Sequence, residues 1–210
     1  MVQPKTRTAK PKTNARTKPK AKTAATMSFA DYLDGIRALA SNHGASLELR
    51  KPAKATALAK LASLNGVLVP GELGAAWRTS DGYEHNLFSR PGFMTGYEFL
   101  SVSEAIKERA SFAKRAPQYE GYEDPEERDP RIAPGWYQPG WLPFASFGGG
   151  TLVLLVDASP SKRGRPGQII AFTHDPDEMT YVATSFAQYL AASLQWIQSQ
   201  PHDVLALDDL

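Results

Sequence analysis

Residues 151–157, Thr-Leu-Val-Leu-Leu-Val-Asp, are a nearly unbroken apolar run. The run is too short to span a bilayer, which takes about 20 apolar residues in a helix. A strand with one wet face alternates polar and apolar residues, and this one does not. It reads as a central strand buried on both faces, which needs cover on each side. A second strand, residues 168–174 (QIIAFTH), pairs with it across the polar loop SPSKRGRPG. Asp175-Pro176-Asp177-Glu178 is ordinary turn chemistry, and residues 179–183 (MTYVA) return as a third strand. Upstream, YEHNLF and GYEFLS within residues 83–101 read as two irregular strands around a Pro91-Gly92 turn.

Helical patterns supply the cover. Ser28 precedes Phe29, Leu33, Ile36 and Leu39/Ala40 at helical spacing, and Asn42-His43-Gly44 ends that run. A second helix is predicted over Pro52–Leu64, and a short third follows Pro70, with Leu73 and Trp77 on one face. Ser101-x-x-Glu104 and Ser185-x-x-Gln188 are capping-box patterns opening two further helices. The last carries a stripe of Phe186, Tyr189/Leu190, Leu194 and Ile197, and Pro201 stops it. The fold class is therefore α+β: a single domain with a mostly antiparallel central sheet flanked by helices.

Charge divides the chain. Residues 1–27 hold eight basic and no acidic residues, while the remainder has 16 basic and 22 acidic ones, a net charge of −6. The basic segment is Lys, Thr, Ala and Pro with almost no apolar bulk, so a disordered tail is expected over 1–27. Its Lys5, Arg7, Lys10, Lys12, Arg16, Lys18, Lys20 and Lys22 are candidates for nucleic-acid contact through phosphate neutralisation. The simpler reading is a solubilising extension, because no aromatic side chain there is available to stack on a base. The domain proper is expected over 28–200, followed by an acidic tail at 201–210.

Several function classes drop out. The chain has no cysteine, which removes disulfides, zinc–thiolate sites and cysteine nucleophiles. No apolar run of membrane length is present, and no apolar segment follows the basic start as in a secretory signal, so a cytoplasmic protein with no membrane contact is expected.

The segment from Trp141 to Ile197 carries a family resemblance. In order it shows Leu142-Pro143-Phe144, Gly148-Gly149-Gly150, a central strand ending in Asp157, Gly167-x-Ile169, His174-Asp175 and Ser185-Phe186. Upstream stand Val69-Pro70, Trp77 and Asp81-Gly82. This succession resembles the SUKH superfamily, which includes fungal Smi/Knr cell-wall regulators and many bacterial immunity proteins. The match covers about residues 64–197 and rests on the order of several weak motifs. Ser146 and Thr151 stand where the family often has Asp, and the loop at 117–140 is longer than a minimal member needs. The resemblance implies a protein that docks on a partner instead of performing chemistry. An immunity protein against a toxin domain is the first expectation; the alternatives are a Smi/Knr-type regulator or scaffold and, from the charge of residues 1–27, a nucleic-acid-associated protein tethered by its basic N-terminal tail.

The residues themselves offer few catalytic readings. His43, His85, His174 and His202 form no metal-ligand spacing, and His174-Asp175-Pro176-Asp177-Glu178 reads as a hairpin turn. Gly148-Gly149-Gly150 precedes a strand, whereas phosphate-cradling loops follow one and open a helix; a tight turn is expected. No nucleophile–base pair is apparent, so the expectation is a non-enzyme without cofactor or metal. Asp157 either lines a cleft or caps the following loop.

The candidate docking residues lie in the long loop. Glu120, Tyr122, Glu123, Asp124, Glu126, Glu127 and Asp129 concentrate acidity beside Trp136 and Tyr137, and Asp157 joins them as a strand-end candidate. Trp141 is assigned to the core, while Trp136 and Tyr137 suit either core or interface. An acidic body is steered towards a basic partner, such as a nuclease toxin domain.

Overall fold

A computed structural model describes residues 25–124 and 126–206. The candidate nucleic-acid residues Lys5 to Lys22 lie outside the described residues. The elements run α1 (Phe29–Asn42), α2 (Ala55–Ala62), α3 (Gly71–Thr79), β1 (Tyr83–Ser89), β2 (Gly96–Phe99), α4 (Val102–Arg115), a 3-10 turn (Ala116–Tyr119), β3 (Trp141–Phe147), β4 (Leu152–Asp157), β5 (Gln168–Thr173), β6 (Glu178–Ala183), α5 (Phe186–Ser199) and α6 (Pro201–Leu205). The six strands form one antiparallel sheet in sequence order. The fold is α+β, as the sequence predicts.

Side chains on β4 and β5 divide between two layers, as period-2 alternation requires. Leu154 and Val156 on β4, and Ile169 and Ala171 on β5, face a core built with α1, α3 and α5. Val153, Leu155, Ile170 and Phe172 face the opposite side, where Phe112, Ile132, Trp136, Trp141 and Met179 cover them. The apolar run is thus buried on both faces because a helical layer lies on one side and the 117–140 segment on the other. Each fully buried side chain of this kind stabilises by roughly 1.5–3 kcal/mol relative to exposure.

Ser28, Ser101 and Ser185 each cap a helix as the sequence predicts, but of the two expected capping boxes only that at Ser101 is reciprocal. Ser28 Oγ accepts from the Asp31 amide at 3.1 Å, and Ser185 Oγ accepts from the Gln188 amide at 3.3 Å. Ser101 and Glu104 form a reciprocal capping box, with bonds of 3.2 and 2.8 Å. The second helix is shorter than the pattern suggests, at Ala55–Ala62.

One strand has no counterpart in the sequence reading. β3 pairs with both β2 and β4 although it contains Pro143, a residue that usually marks an edge or a non-strand. The register shifts between Pro143 and Ala145, and this bulge accommodates the missing amide. At the other end of the chain, α6 carries Val204 and Leu205 into the main core. The packed body therefore continues past Pro201. Its start is pinned before Ser28, where the Met27 amide donates to the Ala187 carbonyl at 3.0 Å.

A buried polar cluster joins α5 to β1. Tyr32 Oη donates to the Leu87 carbonyl at 2.7 Å and lies 2.9 Å from Ser193 Oγ, which also accepts from the Ser89 amide at 3.0 Å. Burial holds the Tyr32 phenol well above its ordinary pKa, with the Ser193 hydrogen bond opposing in part.

Candidate protein-docking face

The segment between the 3-10 turn and β3 arches over the second face of the sheet. Its inner side is apolar: Ile132 and Trp136 are buried, and Tyr119 and Tyr137 pack against the same cluster. Trp136, 7% exposed, meets Phe172 edge-on at 6.3 Å between centroids. Tyr119 stacks on it at 4.7 Å and 21°. Tyr122 stands perpendicular at 5.5 Å and remains 45% exposed. Trp136 is therefore a core anchor, and Tyr122 is the aromatic that reaches solvent. Tyr137 is half-buried, with the Arg109 guanidinium 5.7 Å above its ring.

Two arginines hold the arch in shape. Arg128, with its side chain 9% exposed, donates from Nη2 to Asp124 at 2.6 Å and from Nη1 to the Ala133 and Gly135 carbonyls. Its guanidinium carbon lies 4.8 Å from the Trp136 centroid. Arg131 grips Asp129 from Nε at 2.9 Å and Nη2 at 2.5 Å, and lies over the Tyr181 ring at 3.2 Å. The Arg131 hydrogen bonds hold the Asp129 carboxyl below its usual range. Neither arginine was a predicted site residue. The signal for them was the alternation Asp124…Arg128 and Asp129-x-Arg131, which places opposite charges within reach on a tight loop.

The predicted acidic residues separate into two groups. Asp124 and Asp129 are partly buried and engaged with the arginines. Glu120, Glu123, Glu126 and Glu127 are exposed and leave the arch with a negative outer rim around Tyr122. A groove of about 640 Å³ opens there, walled by Tyr119, Tyr122, Ile132 and Trp136.

Asp157 is not on this face. It is fully buried; one carboxylate oxygen accepts from the Ser159 amide at 2.9 Å and the other from Gln168 Nε2 at 2.9 Å. Of the two readings left open by its strand-end position, the structure selects the cap. Burial raises its pKa, and the donors on Gln168 and Ser159 oppose that shift in part. A carboxylate enclosed in this way cannot touch a docked protein. His174 occupies the β5–β6 connection, where Nδ1 lies 2.7 Å from Asp177 Oδ1. The three glycines at 148–150 turn the chain between β3 and β4, all with positive φ. Among the described residues, no helix is long and apolar enough to cross a membrane.

Comparison with known proteins adds two findings. The sequence profile of the SMI1 / KNR4 family (SUKH-1) matches residues 52–192, a span that contains the whole arch and all six strands. A KNR4/SMI1 homolog of Yarrowia lipolytica (strain CLIB 122 / E 150) is 42% identical over 53 residues, which is 25% of this chain and 7% of that protein.

Proposed function

The chain belongs to the SMI1 / KNR4 family (SUKH-1), and from that premise we propose that it is a non-catalytic binding domain, an immunity protein that neutralises a basic toxin domain by docking the arch on it. The observation that carries this reading is the split character of the arch. Trp136, Arg128 and Arg131 fix it from inside, while Glu120, Glu123, Glu126 and Glu127 present free charge around Tyr122. A pre-shaped acidic rim loses little entropy on binding and accelerates encounter with a cationic surface. An exposed tyrosine beside a groove is the kind of anchor that dominates interface energetics. The polar groups closest to catalytic chemistry have structural partners, Asp157 in its cap and His174 in its turn. In this reading the protein works in the cytoplasm, where a toxin acting on the producing cell is met.

The test is survival. The chain is co-expressed with a toxin-like reading frame taken from its genomic neighbourhood, alongside a Glu123→Lys/Glu126→Lys/Glu127→Lys variant. Protection by the natural chain and its loss in the variant support the proposal. Equal killing with and without the natural chain overturns the immunity role.

The similarity to the Yarrowia protein favours a second reading, a regulator or scaffold of the Smi/Knr type that uses the same face on a cellular partner. Under that reading, toxin protection is absent while the charge-reversed variant still loses its partner.

A further inference from the structure

Arg115, Arg128 and Arg131 share one setting: each guanidinium meets both an aromatic ring and a carboxylate. Arg115 lies 4.8 Å from the Phe112 centroid and donates to Glu108 at 3.2 Å. Arg128 lies 4.8 Å from the Trp136 centroid and pairs with Asp124 at 2.6 Å. Arg131 lies 3.2 Å from the Tyr181 centroid and pairs with Asp129 at 2.5 Å. The ring attracts the flat cation through its face, while the carboxylate takes N–H groups at the cation's edge. The two contacts use different parts of the guanidinium and therefore add to each other.

Tyr122 has the ring and the carboxylates of this arrangement without an arginine of its own chain. Among the described residues no guanidinium lies over its ring, which is 45% exposed. Its aromatic neighbours Tyr119 and Trp136 stand at 89° and 75° to it, so neither is stacked on its face. Glu120 and Glu123 flank it in the chain, are exposed, and take part in no ion pair among the described residues. All three residues line the groove of the arch. Their backbone is held: the Glu120 amide donates to the Pro117 carbonyl at 3.3 Å, and the Tyr122 amide to the Tyr119 carbonyl at 3.0 Å. The turn therefore presents ring and carboxylates on a fixed frame, which lowers the ordering cost of binding.

We propose that Tyr122, Glu120 and Glu123 receive one arginine side chain of the docked protein, which completes here the arrangement that Arg115, Arg128 and Arg131 complete elsewhere. The inference rests on the reading of the arch as a docking face and supplies the chemistry of its anchor. An arginine suits the site better than a lysine does. A guanidinium is planar, lies flat on a ring and keeps its in-plane N–H groups for carboxylates, whereas an ammonium is a compact and strongly hydrated charge. An apolar side chain in the same place would strip water from Glu120 and Glu123 and give them no partner. The groove thus selects a surface with a projecting arginine, and the acidic rim of Glu126 and Glu127 acts on encounter without reading the side chain.

The experiment titrates N-acetyl-arginine amide, whose only charge is the guanidinium, into the full nitrogen-15-labelled chain and follows amide shifts by NMR. Saturable shifts are expected at residues 119–124, with N-acetyl-lysine amide binding about threefold more weakly. Tyr122→Leu and Glu120→Gln/Glu123→Gln are each expected to weaken the arginine amide by about three- to fivefold. Tyr122→Phe keeps the ring face and is expected to retain the natural affinity. Glu126→Gln/Glu127→Gln removes the same charge outside the groove and is expected to stay within about twofold of it. Absence of saturable shifts at 119–124, equal affinity for the two amides, or equal losses from the two glutamate pairs overturns the proposal. The titration and the survival assay fail separately. Protection without shifts at 119–124 keeps the docking face and removes the arginine receptor, whereas shifts without protection keep the receptor and remove the toxin as partner. Circular dichroism melting of each variant confirms that these exposed substitutions leave the fold intact.

Discussion

Replacing Arg128 by Met should loosen the arch without disturbing the sheet beneath it. Methionine is unbranched, fills similar space and keeps a favourable contact with the Trp136 ring, so the loss falls on the polar interactions. Those are the 2.6 Å bond to Asp124 and the bonds to the Ala133 and Gly135 carbonyls. A hydrogen bond to a charged group contributes roughly 1.5–3 kcal/mol, and removing one partner of a buried pair leaves the other uncompensated. The Asp124 side chain is 26% exposed, so water recovers part of that penalty. The expected cost is about 2–4 kcal/mol. If arch and sheet unfold together, Tm drops by about 5–15 °C for a body of this size. If the arch opens by itself, Tm changes little, and amide exchange at residues 120–135 accelerates together with a red shift of Trp136 emission. Adding Asp124→Asn should restore part of the loss, because the stranded carboxylate disappears. Affinity for a basic partner should fall in the Arg128→Met variant, since the rim must then be ordered on binding. The reasoning is refuted if Tm, exchange at 120–135 and Trp136 emission all match the natural chain.

Asp157 gives a pH signature. Burial raises its folded pKa above the unfolded value near 3.8, so the native state holds its proton longer than the unfolded state. Stability therefore falls as pH rises from the unfolded to the folded pKa. Asp157→Asn should remove this slope, read as denaturant midpoints across pH 3–6; parallel curves for the two proteins would contradict it. Ser193→Ala deprives the Ser89 amide of its acceptor and should cost roughly 1–3 kcal/mol in urea unfolding, an effect that an unchanged midpoint would disprove. Gly82 has φ of +87°, and an added Cβ would meet the Ser101 nitrogen at 2.7 Å and the Phe99 carbonyl oxygen at 2.9 Å. Both are backbone atoms with little freedom to move, so Gly82→Ala should destabilise by more than about 2 kcal/mol, and a midpoint equal to that of the natural chain would show the β1–α4 junction to be looser than described.

The elements legible in the sequence are those whose information is local. The run at 151–157 declared a doubly covered strand because its composition differs from a half-wet one. Ser28, Ser101 and Ser185 declared helix starts because a cap bonds an amide three residues on. The family resemblance rested on the order of such pieces, and the profile match over 52–192 agrees with it. β3 was not legible as a strand, because Pro143 argues against one locally and only the bulge opposite Leu155 reconciles it with two neighbours.

The candidate site divides along the same line. Sequence placed acids and aromatics together at 117–140, and their proximity in the chain made that visible. Tertiary structure decided which way each one points. Trp136 turned inward because Phe172, from the distant β5, offers it a surface; Tyr122 found none and stayed exposed. Asp157 became a cap because Gln168 lies across the ladder from it, a pairing set by register and not by spacing along the chain. Arg131 settled on Tyr181, fifty residues away. Local chemistry fixes what a segment is able to form, whereas a side chain's partner is chosen only once the sheet has brought distant residues together.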